Sequence, residues 1–416
     1  MSNGLDDWGG SEFVLAADRL DTLDVIEASD PGDVLRQVAS AAAQVRTALQ
    51  SCLETDLSAF TPDARPRAIV VAGMGGSGLA GEVLGAVIGS ASPVQVVIVQ
   101  SEQLPGWVGA ADTVLALSAS GQTAETLAVA TEAARRGCRL AAVGAKDSPL
   151  QRIAEQARAP FVALAPAGLP RSMLWGLAIP LLVIAERLGV ARIAPDVYEL
   201  TANRLEEVSH QCRPASESFV NPGKSLALDL LGTLPVLWGT SVLSGVAAHR
   251  FASQLSENAK YPAMTGVLPE AAYRQIATFD GPFTPSEQSP APAAEVVEEP
   301  RLPGTGDELT GIPDLSSWEY EDPQSPAARG FTPLHLVVIA DPGEDQRTAA
   351  RRAAITELAD QRGVGLSELA MDGEHPLVRL AGVIQLADYA SVYLAIASGI
   401  DPGPSAAAAD LQARIE

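Results

Sequence analysis

Apolar residues recur along this chain in two rhythms. Between residues 12 and 60 the spacing is helical: Val34, Val38, Ala42, Val45 and Leu49 follow three- and four-residue steps behind Asp33, which can cap the helix. Beyond it, short continuous apolar runs at Ala68–Ala72, Val94–Val99, Thr113–Leu117, Leu140–Val143 and Phe161–Leu164 alternate with helix-length intervals. Uninterrupted apolar strands in that rhythm predict a parallel sheet covered on both faces. An apolar helix near 172–188 and a more polar one over 196–215 lead out of this unit. A second, less regular round begins near Pro222, with strands at Leu234–Trp238, Leu334–Ala340 and Gly365–Met371 and helices at Gln346–Gln361 and Pro376–Ser398.

The pattern predicts an α/β fold: an N-terminal helical arm (1–64) expected to pack on the first unit, a first unit over 65–215 and a second over 216–416. Within the second, from Gly281 to Gly330, prolines and acids displace the apolar pattern. This reads as a surface insertion that Trp318 and Tyr320 could dock. The longest apolar run noted, Leu174–Ala185, contains Pro180 and falls short of the ~20 residues a spanning helix needs. No membrane segment is expected.

Composition narrows the partners. A formal charge of −23 argues against nucleic acid and anionic membranes, so an anionic substrate must be held locally by backbone N–H groups, hydroxyls and one or two arginines. Cys52, Cys138 and Cys212 lie far apart, without metal-ligand or disulfide spacing, which fits a reduced, cytoplasmic setting. Neither metal nor cofactor is expected.

Two loops carry the candidate chemistry. Gly73-Met74-Gly75-Gly76-Ser77-Gly78 follows the first strand and opens a helix, offering free N–H groups and the positive end of a helix dipole to an anion. Such a glycine pattern fits a dinucleotide as well as a phosphate. Ser118, Ser120 and Thr123 follow the third strand, where their hydroxyls can converge on one tetrahedral anion at the carboxyl edge of the sheet. The second strand ends in Val99-Gln100-Ser101, without the acid a ribose would want, which favours a compact sugar phosphate. After the later strand, Gly239-Thr240-Ser241 echoes the first loop.

Together with Pro170-Arg171, Gln254-Leu255-Ser256-Glu257-Asn258-Ala259-Lys260, Asp388-Tyr389-Ala390-Ser391-Val392-Tyr393-Leu394-Ala395 and Asp401-Pro402, these loops resemble the bifunctional phosphoglucose/phosphomannose isomerase family. The resemblance covers most of 65–415 outside the insertion. It implies two sugar isomerase (SIS) domains with flavodoxin-like, three-layer architecture, a homodimer, and conversion of glucose or mannose 6-phosphate to fructose 6-phosphate without cofactor or metal. It also implies that Gly76, Ser77, Ser118, Ser120 and Thr123 hold the phosphate, that Glu257 is the base and that Arg171 stabilises the enediolate. Where the family carries a histidine that assists ring opening from the partner subunit, this chain has Tyr273, a poor proton shuttle at neutral pH. Gln412 stands near a basic position of the last helix. The four histidines read as ordinary surface or capping residues, although His249, two turns before Glu257, could reach a neighbouring part of the cleft. A second reading therefore stands beside the isomerase: a catalytically degenerate SIS protein that binds a sugar phosphate and regulates or scaffolds hexose-phosphate enzymes.

Overall fold

The computed structural model describes residues 8–165, 168–284 and 332–415. Five strands, β1 (Ala68–Ala72), β2 (Gln95–Val99), β3 (Thr113–Ser118), β4 (Arg139–Ala145) and β5 (Phe161–Leu164), form one parallel sheet in the order β2-β1-β3-β4-β5. Four more, β6 (Leu234–Gly239), β7 (Met264–Val267), β8 (Leu334–Ala340) and β9 (Gly365–Ala370), form a second parallel sheet in the order β7-β6-β8-β9. The α/β class and the parallel strands are as the apolar runs predict.

Successive side chains of a strand face opposite ways, and this alternation divides the core. Val70 and Ala72 face one side of the first sheet with Val114, Ala116 and Leu140. Ile69, Val71, Leu115 and Leu117 face the other, in a core that continues to Leu237, Val337 and Ile339 of the second sheet. The second sheet's outer face buries Val236, Trp238, Leu336 and Val338. One apolar interior thus joins the two sheets, with helices Leu174–Arg187, Val242–Gln254 and Pro376–Ala397 contributing to it.

Helix Pro376–Ala397 has the length and apolarity to cross a membrane, but 94% of its most apolar window is buried inside the chain. It packs on helices Pro195–Gln211, Pro222–Leu230 and Val242–Gln254. Its fully apolar sides therefore have protein to face, and three buried polar side chains, Gln385, Asp388 and Ser391, interrupt them.

The arm departs from expectation twice. Its helix Ala41–Glu54 does pack on the first unit, where Arg46 pairs with Glu199 at 2.7 Å and with Glu206. The arm also reaches the second round, since Asp21 accepts from the Ser218 backbone N at 2.8 Å and Arg19 donates to the Ala397 carbonyl at 3.3 Å. Asp33 precedes helix Val34–Ala39 but adopts a left-handed conformation (φ 51°) with no side-chain cap bond. The carboxylate of Asp30 caps instead, accepting from Val34 N at 2.8 Å and Leu35 N at 2.9 Å. Of the acidic segment, residues 285–331, including Trp318 and Tyr320, lie outside the described residues. Its flanks meet, because Leu334 N donates to the Phe283 carbonyl at 2.8 Å.

Candidate active site

β1 and β3 are hydrogen-bonded neighbours, so the loops that follow them leave the same carboxyl edge. After β1 the chain turns at Gly75, whose φ of 52° and ψ of −125° suit glycine and strain other residues, and helix Gly76–Ile88 starts at once. Gly78 lies so close to the Gln100 side chain and the Gly73 carbonyl that a Cβ there would collide with both. Ser77 is buried at this helix start. After β3, the Ser118 hydroxyl lies 2.8 Å from the Thr123 hydroxyl and 3.4 Å from that of Ser120. Ser120 Oγ also accepts from Gln122 N at 3.2 Å, while helix Ala124–Arg135 starts without a side-chain cap bond from Thr123. Three hydroxyls thus gather beside a helix start that keeps N–H groups for an incoming anion.

The other half of the site comes from three distant segments. Gly76 abuts the turn Pro170–Ser172, a Cβ at 76 falling 3.9 Å from Arg171 Cα. The Arg171 guanidinium donates from Nε to Asn258 Oδ1 at 2.8 Å and from Nη2 to the Pro402 carbonyl at 2.6 Å, and its Nε lies 4.0 Å from Glu257 Oε2. Glu257 occupies a single π-helical turn, Leu255–Ala259, continuing helix Val242–Gln254. Isolated π turns concentrate at functional sites because they re-aim side chains relative to the preceding α-helix. The turn ends at Lys260 in a left-handed conformation, with Nζ donating to the carbonyls of Glu257, Asn258, Asp401 and Gly403 at 2.8–3.1 Å. Glu257 keeps 45% of its side chain exposed, and the partial removal of solvent raises its carboxyl above the ordinary glutamate value, with Arg171 pulling the other way.

A buried frame holds this pair. Arg250 makes two bonds to Asp388, at 2.9 and 2.8 Å, and donates from Nη2 to the Arg171 carbonyl at 2.9 Å. Asn258 donates to Gln254 Oε1 at 3.0 Å and to Ser391 Oγ at 2.9 Å. Asp388 and Ser391 are one turn apart on helix Pro376–Ala397, so one helix face supports both supports of Arg171. Sequence reasoning assigned Asn258, Arg250 and Ser391 no role. The available signal was polarity inside an apolar helix, at Asp388 and Ser391, where an unpaired group would be costly.

The structure brings Gly76, Ser77, Ser118, Ser120 and Thr123 to one edge, and Arg171 and Glu257 beside it. It does not bring Tyr273 into that group within the chain. Tyr273 is 75% exposed and stacks against Arg351, whose carbon Cζ is 5.8 Å from the ring centre. His249 does not approach Glu257 through any contact; its Nδ1 is 2.8 Å from Glu82 Oε2 on helix Gly76–Ile88, and that bond raises its pKa. His375 caps helix Pro376–Ala397 by accepting from Leu377 N at 3.1 Å, and His335 bonds Ser367 at 2.8 Å. The Gln412 side chain lies outside the described ones.

Comparison with known proteins bears on the fold and the family resemblance. Residues 64–163 match the SIS domain family, and residues 219–415 match the bacterial phospho-glucose isomerase C-terminal SIS domain. A bifunctional phosphoglucose/phosphomannose isomerase from Caldicellulosiruptor bescii is 26% identical over 337 residues, 81% of this chain and 86% of that protein. A D-glucosamine-6-phosphate 4-epimerase from Sulfolobus acidocaldarius is 30% identical over 50% of this chain and 62% of its own length. Among solved structures, tagatose-6-phosphate ketose/aldose isomerase from Escherichia coli shares the fold with a TM-score of 0.57 at 11% identity, covering 96% of this chain and 95% of that one. Residues 64–163 and 219–415 therefore each match an SIS domain, and the chain as a whole is similar to the bifunctional phosphoglucose/phosphomannose isomerases.

Proposed function

We propose that this chain is a sugar-phosphate isomerase interconverting glucose 6-phosphate or mannose 6-phosphate with fructose 6-phosphate. The observation that carries the reading is a partly buried carboxylate, Glu257, beside a fixed guanidinium, Arg171, next to a loop of three converging hydroxyls. In the open-chain aldose, Glu257 removes the C2 proton, and the electron pair moves through the C1–C2 bond to O1, giving an enediolate. Arg171, held by Asn258 and the Pro402 carbonyl, faces that developing charge. Return of the proton to C1, with the O2 proton moved to O1, yields the ketose. Burial raises this carboxyl above the ordinary glutamate value, which makes it a stronger base than a free glutamate.

The phosphate is assigned to Ser77, Ser118, Ser120, Thr123 and the backbone of Gly76. The domain limits read from the sequence, 1–64, 65–215 and 216–416, and a homodimer belong to this reading. Its test is Glu257→Gln in a coupled fructose 6-phosphate assay. Turnover should fall by roughly 10²–10⁴, while glucose 6-phosphate still raises the melting temperature through linkage. Full turnover in that variant would refute the base assignment.

One observation favours the second reading, a sugar-phosphate-binding regulator: Tyr273, a poor proton shuttle at neutral pH, stands at the family's histidine position. A hexose 6-phosphate thermal shift with no turnover at any protein concentration would decide for it.

A further inference from the structure

The second sheet repeats the strand order of the first: β7-β6-β8-β9 corresponds to β2-β1-β3-β4. The Gly239-Thr240-Ser241 turn after β6 therefore stands where the glycine loop stands after β1. Residues 341–345, between β8 and helix Gln346–Gln361, stand where 119–123 stand between β3 and helix Ala124–Arg135. The second sheet thus has the two loops of a phosphate site, and their polar atoms are already engaged. Asp341 is buried, and its Oδ2 accepts from the Ser241 hydroxyl at 2.6 Å. Its Oδ1 accepts from Gly343 N at 3.0 Å and lies 3.2 Å from Arg379 Nε. Asp341 N donates to Thr240 Oγ1 at 2.9 Å, tying the two loops together. Ser241 meanwhile caps helix Val242–Gln254 through a capping box with Ser244.

We infer that Asp341 is a built-in occupant of a second anion site. Its carboxylate sits among a hydroxyl, a backbone N–H and a guanidinium, the donor set a phosphate monoester would take, and so restricts the chain to one phosphate. The other acids of this loop do not face the position. Glu344 pairs with Arg352 at 2.7 Å, and Asp345 caps the next helix through Arg347 N and Thr348 N. In the first sheet no carboxylate bonds the hydroxyls of Ser118, Ser120 or Thr123 among the described residues. The second site stands on the second sheet's geometry, whereas the count of one phosphate per chain rests on the phosphate assignment proposed for the first.

Equilibrium dialysis with radiolabelled inorganic phosphate tests it by counting equivalents per folded chain. Asp341→Ala should gain one equivalent, both in the otherwise unchanged chain and in one carrying Ser118→Ala, Ser120→Ala and Thr123→Ala. Adding Arg379→Gln should remove the gained equivalent. The isosteric Asp341→Asn fills the same space and should gain none. A cooperatively folded Asp341→Ala that gains nothing overturns the inference. So does uptake by the triple alanine variant with Asp341 intact that Arg379→Gln abolishes, a result that needs no change at Asp341. Failure of the triple variant to lose first-site phosphate would count against the assignment of Ser118, Ser120 and Thr123 only.

Discussion

Glu257 and Arg171 shift each other's protonation in ways a pH profile can read. Loss of solvent raises the Glu257 carboxyl, and the Arg171 charge 4.0 Å away opposes that rise by favouring the carboxylate. Removing the cation leaves the burial unopposed. Arg171→Gln should therefore move the acidic limb of kcat/KM to higher pH, besides lowering its plateau. A limb that stays in place, or moves down, would mean that another group titrates there. Spacing could single out neither residue, because a glutamate three positions before a lysine and an arginine after a proline are ordinary in helices. The family resemblance picked them out. What it could not supply was the Asn258 bond that orients Arg171, since its partners lie 87 and 133 residues away along the chain. At the proposed phosphate end, Ser118→Ala removes the hydroxyl bonded to both Ser120 and Thr123. KM for hexose 6-phosphate should rise several-fold, with a smaller fall in kcat, because the phosphate does not change charge during the reaction.

At the scale of elements, legibility followed burial. β1 and β8, interior strands buried along nearly their whole length, have the limits the apolar runs predict, and so does β5, although it is an edge strand with Phe161 and Ala163 only partly buried. β7 escaped notice because it is a four-residue edge strand, largely half-exposed and containing Gly266, so neither period is visible in it. Asp33 misled for a different reason. It has the right residue type for a cap, but its left-handed backbone directs the capping role to Asp30, three residues earlier. Helix Pro376–Ala397 was visible as an apolar helix, and its polar residues prove to be the structural supports of the site. Asp388→Ala would leave Arg250 buried without its carboxylate, a loss of about 3–5 kcal/mol for one half of a buried pair. Urea denaturation should show that drop. Because Arg250 also holds the Arg171 carbonyl, kcat should fall under conditions where the variant is still folded. Unchanged stability would show that the pair is not holding the helices together.

Across the whole molecule, the two sheets share one apolar interior, and a few polar links cross between their halves at the site. Arg171 to Asn258 and Pro402 is one such link, and His249 to Glu82 is another, joining helix Val242–Gln254 to helix Gly76–Ile88. Neither was legible, since nothing local in a sequence records which helices meet across a shared core. The His249 link has a pH signature. Glu82 accepts from its ring and raises its pKa, so the folded chain holds the proton more tightly than the unfolded one. The resulting stabilisation is fully present below about pH 6.5 and is lost as pH rises through the elevated value. His249 is half-exposed, so solvent screening holds the contribution to about 1 kcal/mol or less. The difference in urea midpoint between the wild-type chain and His249→Ala should therefore be positive at pH 5.5 to 6 and shrink toward zero by pH 8.5. Glu82→Gln should flatten the same difference at every pH. A His249→Ala effect of equal size at both ends would assign the residue a packing role alone and leave the other polar links to hold helix Gly76–Ile88 against its neighbour.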